Sequence, residues 1–259
     1  MGRRNLTLPA RLSGGVLVLL LVLGLASPAQ AATGDAFLPE FDLRFDLHRD
    51  GLLVGHTVVR LRKRADERWE YTRRSRPTGI ASLLRSDIVE ETSRWRRHQD
   101  HIRPERYDYH RRGNHPRRVR IDFDWVEGRA TNTLDGQTWR MDIPRETLDK
   151  LSVELALMRD LRELEAGESR TWRYSVADGG HLKHYLFEMQ GQETLESPVG
   201  PLQTRVLLSR RDHDDQQTRY WMAPELGYLP VRIERLRGGN ETAVMQLTEL
   251  NMHGTPGIP

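Results

Sequence analysis

The chain has 259 residues, with 40 Lys plus Arg against 37 Asp plus Glu, 37% hydrophobic and 30% charged residues, and no cysteine. The missing cysteine excludes a disulfide framework, a thiolate metal site, a cysteine nucleophile and a lipid-modified cysteine behind an export signal. The length suits one large domain with a core of useful size.

The first 31 residues read as a secretory signal. Arg3, Arg4 and Arg11 precede an apolar run from Val16 to Leu25, and Ala29-Gln30-Ala31 offers small residues where a signal peptidase cuts. The run is roughly half the length of about 20 residues that a membrane span needs. A Sec-type signal cleaved after Ala31, a periplasmic mature protein and no membrane span after cleavage are therefore expected. Removing the segment takes away three arginines and no acid, which leaves 37 basic and 37 acidic residues. Net basicity then gives no argument for nucleic acid. Charge is nevertheless uneven: residues 60–120 hold 19 Lys/Arg against 9 Asp/Glu, and residues 121–259 hold 16 against 23. The basic stretch fits either contact with an anionic partner or arginines on the solvent faces of strands.

From Phe41 onward the chain alternates with the period of strands. Phe41, Leu43, Phe45 and Leu47 share one parity, Asp50-Gly51 turns the chain, and Thr57, Val59 and Leu61 resume the pattern. It recurs at Trp69 and Tyr71, from Val89 to Trp95, at Tyr107 and Tyr109, and at Val119, Ile121, Phe123 and Trp125. Trp139, Met141 and Ile143 follow, stopped by Pro144. Between Glu146 and Leu161 the period changes: Leu148, Leu151, Leu155 and Met158 fall three and four apart, the spacing of an amphipathic helix. A shorter helical turn is expected at Ile80 to Leu84. Further strands are predicted around Trp172 to Val176, Tyr185 to Met189, Leu202 to Leu208, Thr218 to Met222, Val231 to Leu236 and Ala243 to Leu247. The expectation is a mainly β fold: one large curved antiparallel sheet or open β-barrel, with the helix over residues 146–161 packed on its concave face. A single β-rich domain over residues 32–251 and a disordered tail over 252–259 complete the organisation.

Several motifs occur in a familiar order. They include Gly51-Leu52-Leu53-Val54-Gly55-His56, Gly79-Ile80-Ala81, Arg103-Pro104 leading to Tyr107-Asp108-Tyr109, and Asp149-Lys150-Leu151-Ser152. Glu196-Ser197-Pro198-Val199-Gly200 and the run from Trp221 through Pro224, Gly227, Tyr228 and Pro230 to Val231 follow. With the export signal, these resemble the bacterial exported family known as domain of unknown function 3108, across about Phe41 to Leu250. The resemblance implies an envelope protein on a curved antiparallel sheet, similar in outline to periplasmic lipoprotein carriers, and supplies no catalytic residues. Such likeness between folds does not fix function.

The residues themselves offer little chemistry. His98 and His101, and His181 and His184, are three apart, yet they lie in predicted strand or turn, where that spacing sends side chains to opposite faces. Asp212 to Asp215 reads as a solvated hairpin tip. Glu90 and Glu91 are adjacent on a strand and cannot act as a pair. No metal site, cofactor or catalytic constellation is therefore expected. The one-sided strands leave an apolar face instead, and Phe123, Trp125, Trp139, Met141, Leu151 and Leu155 are the candidate ligand-binding residues, lining either a cavity or a packed core. Two functions follow from these alternatives. One is a monomeric periplasmic carrier for an apolar, lipid-like ligand. The other is an envelope structural or assembly factor with a packed core, acting through protein contacts.

Overall fold

A computed structural model of the chain describes residues 38–79, 82, 87–164, 168–197, 200–212 and 214–253. The strands are β1 (Glu40–Arg49), β2 (Leu52–Lys63), β3 (Arg68–Pro77), β4 (Ile88–His98), β5 (His101–Arg112), β6 (Arg117–Asp124), β7 (Arg129–Leu134) and β8 (Gln137–Asp142). The short β9 (Leu148–Asp149) and helix α1 (Ser152–Arg162) come next. They lead into β10 (Thr171–Asp178), β11 (His181–Ser197), β12 (Gly200–Arg211), β13 (Gln216–Ala223), β14 (Leu229–Arg237) and β15 (Asn240–His253). All fifteen strands form one sheet, in the order β8 to β1, then β15 back to β9. The first eight strands make one meander and β10 to β15 another, the pairing of β1 with β15 joins them, and β9 adds to β10 through a crossover that contains α1. Among the described residues, only the pair of β9 with β10 is parallel. Residues from Ala36 onward form a compact unit with a core of its own.

Alternation decides which face each side chain takes. Phe41, Leu43 and Phe45 are buried, while their neighbours Asp42, Arg44 and Asp46 are only half-buried. The outward positions of the arginine-rich strands form cross-strand ion pairs, such as Arg60–Asp42, Arg94–Asp108, Arg106–Asp122 and Arg120–Asp108.

Helix α1 lies against the concave face. It is buried on every side from Ser152 to Met158, and it touches both halves of the sheet. Tyr71 and Arg73 of β3 bond its Glu154, and Tyr174 of β10 bonds its Asp160 at 2.6 Å. The sheet therefore curls around the helix.

The helix starts later than residue 146. Leu148, whose spacing matched the helical stripe, sits in β9 opposite Val176. The start is set by Asp149, whose carboxylate accepts the backbone N–H groups of Leu151 and Ser152 at 2.8 and 2.9 Å. Ser152 Oγ in turn accepts the N–H of Asp149 at 2.8 Å. This reciprocal bonding satisfies donors that a helix start leaves free. At the other end of the chain, β15 extends to His253, two residues beyond the expected domain end. The predicted turn at Ile80 to Leu84 lies outside the described residues, apart from Ser82.

The β8 end of the sheet contacts the turn that follows β10, near the other end. Trp139 of β8 donates its indole N–H to the carbonyl of Gly180, in the turn between β10 and β11, at 2.9 Å. Gly180 has φ +85°, and a Cβ there would lie 1.9 Å from the Trp139 ring. Gly179 next to it also has positive φ (+61°), but a Cβ there would meet nothing. Gly180→Ala should therefore cost about 1–3 kcal/mol more than Gly179→Ala, by overpacking, when both are compared by urea unfolding. Equal costs would mean that the Trp139 contact does not hold the sheet ends together.

Candidate functional site

Of the six candidate residues, Leu151, just before α1, and Leu155, on it, are fully buried. The other four are half-buried and stand apart from them, on β6 to β8. Phe123 and Trp125 stack at 5.7 Å, and Trp125 donates to the carbonyl of Pro104 at 2.6 Å beneath the Arg103 guanidinium. Trp139 makes the contact with Gly180, and Met141 packs at the margin of the core.

Between these groups the concave face is polar, which the sequence reading missed. The parity that buries Tyr71 also turns Arg73 inward, and the parity of Trp95 turns Ser93 and Glu91 inward. Arg73 and the Tyr71 hydroxyl both bond the Glu154 carboxylate. Ser93 donates to Asp149 at 2.6 Å. Tyr107 donates to Glu91 at 2.6 Å, and Lys150 Nζ lies 3.9 Å from the same carboxylate. On the far side, Asp178 accepts Lys183 at 2.9 Å and Tyr185 at 3.1 Å. The first residues of the helix region are thus bolted to β3, β4 and β5. As expected, Glu90 faces the other way, where it pairs with Arg74 and Arg112.

These surroundings shift the acids in opposite directions. Burial raises the Asp149 carboxyl above the usual range, and its hydrogen bonds only partly offset this. Burial also works against ionised Glu91, but Lys150, Arg73 and the Tyr107 hydroxyl outweigh it and hold Glu91 below the usual range. Asp178 is likewise held low, by Lys150 and Lys183 against its burial.

The sheet does not close along its whole length. Strand β9 covers only Val176 and Ala177 of β10. Among the described residues, no strand pairs with the outer edge of β10 over Thr171–Ser175. A groove of about 530 Å³ runs beside that edge. Ile102, Leu148, Ala156, Trp172 and Tyr174 give it apolar surface. Arg145, Arg170 and Arg173 line it, against Glu146, and Arg173 also lies 4.0 Å from the Asp212 carboxylate. Its other charged pair is internally matched, because Asp160 accepts Arg159 at 2.7 Å as well as the Tyr174 hydroxyl. Trp172 is buried, and its indole N–H has no acceptor among the described residues.

The histidine and aspartate clusters fall elsewhere. His98 faces His101 across the β4–β5 turn, His184 Nδ1 lies 2.9 Å from Asp212, and His213 is outside the described residues. Among the described residues, no three His, Cys, Asp or Glu side chains converge as a metal site would need. No helix among them is long and apolar enough to cross a membrane.

A family model described as "Protein of unknown function (DUF3108)" matches residues 41–248, so the chain belongs to that family. No curated protein matches the chain. Among solved structures, it resembles a β-barrel-like protein of domain of unknown function DUF1849 from Brucella abortus. Identity is 10%, the match covers 84% of this chain and 99% of that one, and the TM-score of 0.56 shows a shared fold. Two weaker likenesses are MucB and a MucA/MucB complex of Pseudomonas aeruginosa, both at 13% identity, with TM-scores of 0.31 and 0.32. They cover 85% and 84% of this chain but only about half of those chains, 55% and 53%.

The acid shifts predict the pH dependence of stability. Glu91, held low in the folded state, contributes stability that is present above its ordinary value of about 4.5 and is lost as pH falls through its folded value. Asp149, held high, does the reverse: its burial costs stability as pH rises from 3.8 through its folded value. Urea midpoints measured between about pH 3 and 7 should show a flatter rise with pH in Glu91→Gln and a steeper rise in Asp149→Asn. Parallel curves for both variants and the parent would contradict the opposed shifts.

Proposed function

We propose that this member of the DUF3108 family is an exported protein of the cell envelope that binds an extended segment of a partner protein in the groove between α1 and β10. The observation that carries this reading is the edge at Thr171–Ser175, where backbone N–H and C=O groups have no strand beside them among the described residues. Such an edge is a template for one more strand, and proteins that do not use it usually cover or blunt it. The apolar surface beside it suits alternate side chains of an added strand, and Arg145, Arg170 and Arg173 favour an acidic one.

The concave face supports a protein partner over a lipid-like ligand. Its centre is occupied by α1, with Leu151 and Leu155 fully buried, and its flanks carry Arg73, Glu91, Asp149 and Glu154 rather than a continuous apolar wall. In this reading Phe123, Trp125, Trp139 and Met141 pack the β6–β8 end of the sheet. Export rests on the signal proposed for residues 1–31, cut after Ala31, with the mature protein acting in the periplasm as a monomer.

A photo-crosslinking amino acid placed at Thr171 or Arg173 in the exported protein should give a discrete protein adduct in cells. The same group at Glu249, whose side chain is exposed on the internal strand β15, should not. Native mass spectrometry of the purified protein should show no bound lipid. A stoichiometric lipid, with no protein adduct from either groove position, would overturn this reading.

A further inference from the structure

The arginine-rich stretch is used in two ways. Along the strands its arginines are matched by cross-strand carboxylates. At one rim of the sheet that matching stops. Register places the β1–β2, β3–β4 and β5–β6 connections at the same end: Arg49 faces Leu52, Gly55 faces Pro77, Ile88 faces Arg112 and Arg111 faces Arg117. At this rim Arg76, Arg111, Arg117 and Arg118 have no carboxylate within ion-pair distance among the described residues, whereas Arg74 and Arg112 share Glu90. The side chains of Arg111 and Arg118 bond the His115 carbonyl and the His110 ring, and the backbone N–H of Arg118 donates to Asp135 at 2.7 Å. The β5–β6 tip encloses an open concavity of about 540 Å³ lined by these arginines, with Asp135 as its one acid.

A second feature of the same rim is apolar. Leu52 and Leu53, at the β1–β2 tip, are 70% and 44% exposed. Adjacent strand residues point to opposite faces, so exposure of both means that this tip stands clear of the sheet. Solvation explains the arginines but gives no reason for two exposed leucines on the same rim. A basic surface with protruding leucines fits a layer that is anionic at its surface and apolar beneath.

We propose that this rim docks on an anionic lipid surface, its arginines against the headgroup phosphates and Leu52 and Leu53 at the boundary with the acyl chains. The surface is separate from the groove, which takes His101 and Ile102 from the opposite end of β5, and neither proposal depends on the other.

The test is co-sedimentation of the unit from Ala36 onward with lipid vesicles. That unit contains every described element and its own core, and it excludes the apolar run at Val16–Leu25. It should bind vesicles of phosphatidylcholine with phosphatidylglycerol and leave pure phosphatidylcholine largely unbound, and high salt should weaken binding by about tenfold or more. The triple variant Arg111→Glu/Arg117→Glu/Arg118→Glu should lose about tenfold or more in low salt. Leu52→Ser/Leu53→Ser should lose about several-fold at every salt concentration. Circular dichroism checks that each variant is folded, and the salt dependence of the parent protein decides the matter if one is not. Absent binding to the anionic vesicles, equal binding to both vesicle types, or a folded charge-reversed variant that binds like the parent would overturn the proposal.

Discussion

A sheet of fifteen strands that curls must fill its concave face, and among the described residues one eleven-residue helix serves the purpose. The helix therefore packs with its whole circumference. Leu151, Val153, Leu155, Leu157, Met158 and Leu161 are all buried, each a stabilisation of about 1.5–3 kcal/mol relative to exposure. Polar groups at the start of the helix and in the residues just before it are mostly turned from water, while Arg162 at its end is exposed. Glu154, Asp149 and Lys150 reach groups on the surrounding strands: Arg73 and Tyr71, Ser93, and Glu91. A buried ion pair adds little net stability, but removal of one partner costs about 3–5 kcal/mol, so these bonds specify where the helix sits.

The position of the helix explains the seam. The chain approaches α1 through β9, which occupies two residues of the β10 edge and then leaves it for the interior. The remaining edge of β10 cannot pair with β9, and α1 lines the space beside it. At the end of β10, Trp139 rests on Gly180 and draws the sheet ends together. One contact thus latches the sheet at one end, and an accessible edge lies at the other.

Much of this was legible from the order of residues. Period-two alternation located most of the strands, and the change of period after Ile143 located the one long helix among the described residues. The polar stretch Thr131 to Gly136 reads as a separator and instead holds most of β7, which has too few apolar residues to show the alternation. The helix boundary failed because Leu148 satisfies helical spacing while belonging to a strand; Asp149, which bonds forward to Leu151 and Ser152, marks the true start. The polar interior was visible in principle, since Arg73 shares parity with Tyr71, and Glu91 and Ser93 share parity with Trp95. Charged side chains read as solvated until a buried partner is known, and Glu154 lies 81 residues from Arg73. The contact of Trp139 with Gly180 spans 41 residues, and no local pattern encodes such a closure.

Amide hydrogen exchange of the folded unit tests this account most directly, because it separates a plugged, open sheet from a closed barrel. The amides of Leu155–Met158 should exchange only on global unfolding, while the outward-facing amides among Thr171–Ser175 exchange through local opening, orders of magnitude faster. Protection of that edge equal to the helix would mean that the seam is shut. Fast exchange in the helix would mean that it does not fill the sheet.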